Sequence, residues 1–87
     1  MRVKLITGVT GDQMVAAANL RRVRVAGVAV LVGAVQIKAG ATVLETLAAA
    51  SAIGTERWWE DVAFDNNTGL LTINMANAGD SVLVWFT

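Results

Sequence analysis

The chain has 87 residues, of which 55% are hydrophobic and 16% charged, with seven basic and seven acidic side chains and a mean hydropathy of +0.56. A zero formal charge gives no long-range attraction for phosphate, which argues against nucleic acid as a partner. Cysteine and histidine are both absent, so disulfides, thiolate sites and imidazole ligands are excluded.

The length fits one domain spanning 1–87, and a domain this small buries only about 60–65% of the surface its unfolded chain exposes. Monomers seldom leave large apolar patches in water. The apolar excess therefore predicts surface hidden against another chain, in an oligomer or an assembled complex, and oligomerisation is the compensating device left to a small domain without covalent or zinc staples. The longest central run without a charged or strongly polar residue, Val25 to Val35, is well short of the roughly 20 residues of a membrane helix. The basic N-terminus has no long apolar region behind it, so neither a signal peptide nor a membrane anchor is expected.

Taken in order, Met1 to Thr7 can form a strand, with Val3, Leu5 and Thr7 alternating imperfectly with Arg2, Lys4 and Ile6, and Gly8, Gly11 and Asp12 break it. Gln13 to Asn19 is open between a short helix capped by Asp12 and an irregular lead. Arg21 to Leu31 reads as a strand, because Arg22 and Arg24 alternate with Val23 and Val25. Beyond Gly27 the valines move to even positions, Val28, Val30 and Val32. Either a bulge at Gly27 absorbs the change of parity or the strand end is buried on both faces.

Val35 to Ile37 makes a short strand ended by Gly40. Thr42 to Ala52 divides between a helix, with Thr42 and Glu45 as a capping box, and a strand followed by an alanine-rich loop; the β-branched Thr42, Val43 and Thr46 favour the strand. Arg57 to Phe64 is a strand, followed by the turn Asp65-Asn66-Asn67-Thr68-Gly69. Leu70 to Ala76, the turn Asn77-Ala78-Gly79-Asp80 and Ser81 to Thr87 read as a hairpin that sets Leu71, Ile73 and Met75 against Val82, Val84 and Phe86. Short strands separated by turns predict an all-β fold, a small antiparallel β-sandwich or jelly-roll-like barrel.

Catalytic readings are weak. Glu56, Glu60, Asp61 and Asp65 lie close in sequence, but Glu60 and Asp61 point to opposite faces of a strand and read as solvated charges. Asp65-Asn66-Asn67 has oxygen donors but not the spacing of a calcium loop. Ser51 and Ser81 have no histidine to activate them, and Gly8-Val9-Thr10-Gly11 is not followed by the Gly-Lys-Ser/Thr of a phosphate loop. The chain is read as a non-enzyme with no cofactor, no metal, no nucleic-acid partner and no membrane partner.

The tryptophans carry more information. In a strand Trp58 shares parity with Val62 and Phe64, which predicts Trp58 in the core and Trp59 facing outward beside Arg57 and Asp61. Trp85 lies on the face opposite Val82, Val84 and Phe86. Outward tryptophan with arginine nearby suits a protein interface, so Arg22, Arg24, Arg57, Trp59 and Trp85 are the candidate interface residues. Stacking on sugar rings, or cover within the monomer, are the alternatives.

From Leu20 onward the order is a basic-valine strand (LRRVRVAGVAV), a short strand, TVLETLAAAS, an acidic-aromatic strand, the turn DNNTG and a closing LLTINMANAGDSVLVWF. This resembles small β-sandwich virion structural proteins of tailed bacteriophages. The resemblance implies a capsid decoration (cement) or head–tail component. Such a protein is made in the host bacterial cytoplasm and lodged in the virion. It works as a symmetric homo-oligomer, expected to be a trimer, against other virion structural proteins. The alternative function is a small carbohydrate-binding, lectin-like module.

Overall fold

The computed structural model describes residues 2–16, 20–50, 56–62 and 71–87. Eight strands follow one another: β1 (Arg2–Thr7), β2 (Gly11–Ala16), β3 (Leu20–Gly27), β4 (Val35–Ala39), β5 (Thr42–Leu47), β6 (Glu56–Val62), β7 (Leu71–Met75) and β8 (Ser81–Phe86). They form two antiparallel four-stranded sheets that pack face to face, sheet A in the order β1-β8-β3-β6 and sheet B in the order β2-β7-β4-β5. The pairs β1·β8, β2·β7, β3·β6 and β4·β5 are nested, as if one long hairpin had been rolled up. That is a jelly-roll topology within the expected sandwich class.

The core is the inward row of both sheets. Val23 and Val25 of β3 and Val82, Val84 and Phe86 of β8 face Val35, Ile37 and Ala39 of β4 and Leu71, Ile73 and Met75 of β7. Ile6, Leu31 and Leu47 close its ends, and Val9 and Val15 pack against it. Strict alternation along β4 and β8 is what the period of two requires of strands with one buried face.

Several expectations change. Asn77–Asp80 does not close a hairpin, because β7 lies in sheet B and β8 in sheet A. The apolar rows of the two strands do meet, but across the sandwich rather than side by side. The tight hairpin is β4–β5, turning through Gly40-Ala41 with Gly40 at φ +59°, a conformation that favours glycine at the first loop position. Of Gln13 to Asn19, open between a short helix and an irregular lead, residues 13–16 belong to strand β2, which begins at the expected breakers Gly11 and Asp12; residues 17–19 lie outside the described residues. Thr42–Leu47 is strand, as the β-branched residues favoured. The turn at 65–69 lies outside the described residues.

Gly27 carries no bulge. Pairing with β8 runs unshifted from Val23↔Phe86 to Gly27↔Val82. The core keeps its odd parity through Val23 and Val25 to the buried Leu31, while the even valines Val28, Val30 and Val32 stand in water. The parity change in the sequence is therefore a change from core to surface, and neither of the two expected explanations applies.

Candidate interaction surface

Sheet A turns an apolar outer face to solvent. Directly paired residues of an antiparallel ladder share a face, so the register fixes the rows. One row runs Val3, Trp85, Arg24 and the next Leu5, Leu83, Ala26, with Glu56 beyond Ala26. Thr7 and Ser81 end the face with a side-chain hydrogen bond of 2.6 Å. The central strands of sheet B instead carry Gln36, Lys38, Thr72 and Asn74 outward, with Met14 and Val43 at the margins. There Asp12 accepts hydrogen bonds from Asn74 Nδ2 at 2.7 Å and from Lys38 Nζ at 3.0 and 3.1 Å. Asn74 first, and then Lys38, hold the Asp12 carboxyl below its ordinary value.

Exposed large apolar side chains lie on β1 of sheet A, with Val3 54% and Leu5 53% exposed, on the β3–β4 loop, with Val28, Val30 and Val32 at 47%, 57% and 69%, and on the edge strands of sheet B, with Met14, Val43 and Leu44 at 65%, 45% and 42%. Val28 donates its backbone N–H to Ser81 O at 3.1 Å, which joins the valine loop to the Thr7–Ser81 end of the sheet. A side cleft of about 190 Å³ between β1 and β2 is lined by Lys4, Leu5, Ile6, Thr7, Val9 and Gln13. Gly8-Val9-Thr10 forms the β1–β2 connection there, and Gly8 and Gly11, the first residue of β2, are both at positive φ.

All four sheet edges are blunted. On β1 the core-facing positions opposite Phe86 and Val84 are Arg2 and Lys4. Arg2 covers the Phe86 ring at 4.9 Å, and Lys4 reaches across to Met14 O in the other sheet at 3.3 Å. On β6 the position opposite Val25 is Arg57, whose Nε lies 3.8 Å from Glu45 Oε1 on β5. The edges of sheet B are bulged instead, β2 at Val15 and β5 at Leu44, each an extra residue without a partner in the register. Inward charges and bulges both discourage strand-to-strand addition.

Of the expected interface residues, Arg22, Arg24 and Trp85 do share the outer side of sheet A. Arg24 lies over the Trp85 ring at 4.5 Å and donates Nε to Glu56 Oε2 at 2.6 Å. Arg57 takes an inward register position, opposite Val25, and remains exposed at the flank of the sheet. The phase of β6 is the reverse of that expected: Trp58 pairs with outward Arg24 and Trp59 with buried Val23. The side chains of Trp58, Trp59, Glu60 and Asp61 lie outside the described residues, as does Asp65. Ser81 is engaged with Thr7, and Ser51 is not described. Among the described residues no group of three acidic side chains gathers as a metal site, and no helix is long and apolar enough to cross a membrane.

Comparison with protein-family models, curated proteins and solved structures returns no match.

Sequence reasoning missed Val3, Leu5 and the valine loop as interface candidates. Their signal was present in β1, where two cations alternate with apolar residues. The habit of assigning charges to water hides an edge strand built the other way, with stems packed inward and heads emerging at the flank.

Proposed function

We propose that this chain is a non-enzymatic structural subunit that works as a homo-oligomer. Its place is the one the resemblance implies, a capsid decoration or head–tail component of a tailed-phage virion, held there by contacts with other virion structural proteins. The observation that carries the reading is the unequal dress of the two sheets. The centre of sheet B is polar and internally hydrogen-bonded, with exposed Met14, Val43 and Leu44 confined to its edge strands, whereas sheet A and the valine loop leave five large apolar side chains about half exposed or more. With every edge blunted, that apolar surface is the natural place for another subunit.

The jelly roll hosts viral capsid proteins and lectins alike, so the fold is analogy and the surface is the stronger ground. The carbohydrate alternative has less support, because the Arg24 guanidinium already covers a face of Trp85.

Light scattering of the purified chain at micromolar concentration, followed by co-sedimentation with assembled heads or tails that lack it, tests the proposal. A discrete oligomer that binds particles is expected. A monomer at millimolar concentration rules out the oligomer, and an oligomer that ignores heads and tails rules out the virion role.

A further inference from the structure

The loop between β3 and β4 is a ridge built in advance. Leu31 is buried at its centre and accepts a hydrogen bond from Ala50 N at 2.7 Å. The carboxylate of Asp80, itself only 4% exposed, accepts from Val32 N and Gly33 N, each at 2.8 Å. Val28 N bonds to Ser81 O. Val28, Val30 and Val32 are thus held in water by a clamped backbone, and little ordering entropy remains to be lost when a partner covers them. No charged residue lies between Val28 and Gly33.

The same end of the molecule carries the cleft beside β1. Leu5, Ile6 and Val9 give it apolar walls, and its one cation, Lys4, is tied back to Met14 O. Seating an apolar ridge there leaves the Lys4 ammonium hydrogen-bonded to that carbonyl and turned away toward the other sheet. Area gives an independent reason for recruiting both features. Four strands about 4.8 Å apart and six residues long make a plan area of only about 400 Å², against the roughly 800 Å² per partner of a standard interface. The flat face of sheet A is too small alone, and the ridge and cleft extend it on two sides.

We propose that copies of this chain join head to tail, the Val28–Val32 ridge of one seated in the β1–β2 cleft of the next. This rests on the self-association proposed above and names its contact. Each copy uses two different patches, so the contact is heterologous, the kind that makes a ring when the rotation between copies closes and a filament when it does not. Both patches adjoin Ser81, through Thr7 on one side and Val28 on the other. Two contacts at one end of a 32 × 22 × 18 Å molecule turn sharply from copy to copy, which suits a small ring rather than a filament.

The chain has no cysteine, so single-cysteine variants give a clean test. Val30→Cys and Thr7→Cys are mixed in equal amounts and mildly oxidised. The ridge–cleft contact predicts that nearly all crosslinked species are mixed dimers. Val30–Val30 homodimers, or a statistical half of mixed species, in a protein that is still oligomeric, overturn the contact and leave self-association standing. A monomeric wild type overturns both. As a second measurement, Val32→Asp should weaken association about tenfold or more while the chain stays folded by circular dichroism, because the Val32 side chain lies outside the core. Unchanged association in Val32→Asp also overturns the contact.

Discussion

Asp80→Ala is the sharpest probe of how the valine ridge is held. The native carboxylate accepts two backbone N–H groups at 2.8 Å, one per oxygen, from consecutive residues on a segment more than forty positions away. Hydrogen bonds to a charged group contribute about 1.5–3 kcal/mol each, and stranding a buried donor costs about 1–3 kcal/mol. Both bonds are only part-buried, so water recovers some of the loss. The lower half of the range applies, a net loss of about 2–3 kcal/mol for the pair. Total stability for a chain of this length is of the order of 4–13 kcal/mol, and each kcal/mol moves the melting temperature by about 4–8 °C. Asp80→Ala should therefore melt roughly 10–20 °C lower. Urea denaturation should show a lower midpoint at unchanged slope, since the core itself is intact. Asp80→Asn should fall between, because its amide nitrogen meets a second N–H donor. An Asp80→Ala protein within about 0.5 kcal/mol of wild type would refute the reasoning, because surface substitutions scatter by that much.

Three further outcomes follow. Gly27→Val should destabilise by about 1–3 kcal/mol in thermal melts despite the strand propensity of valine, because a Cβ there meets Ala29 O at 3.2 Å and Leu31 at 3.5 Å; equal stability would show that the loop gives way freely. Val84→Asp puts a carboxylate at a fully buried site and should yield insoluble or unfolded protein by circular dichroism, whereas a cooperatively melting variant would be incompatible with the core described. Asp12 has a folded pKa held below 3.8, so its contribution is fully present above that value and is lost as pH falls through the lower folded value. Asp12→Asn should flatten the fall in melting temperature as the pH drops below 3.8, and an identical acid profile would refute its role.

Much of the architecture was legible because alternation is a local property. Arg22 to Val25, Val35 to Ala39 and Ser81 to Phe86 each declare a strand and its buried row within a few residues. What alternation cannot say is which strand lies alongside. Asn77–Asp80 has good turn chemistry, yet the connection it serves crosses from one sheet to the other, and Asp80 turns inward to hold residues 32 and 33. The rolled topology pairs β1 with β8, nearly the full chain apart, and no local pattern encodes that. The face of β6 is hidden in the sequence for a related reason. Its seven residues mix aromatics and charges on both parities, so only pairing with β3 sets the phase. Arg24 and Trp85 were recognisable because each opposes a clear apolar row, and the structure adds that they stack on one another.

The central claim, self-association through the apolar side of sheet A, is tested most directly by mass in solution. Sedimentation equilibrium should compare wild type with Leu5→Asp, on the exposed side of β1, and with Thr46→Asp, an exposed outward position on sheet B. The account predicts an oligomer for wild type and Thr46→Asp and a folded, smaller species for Leu5→Asp. Equal masses for all three would contradict it, as would dissociation by Thr46→Asp alone.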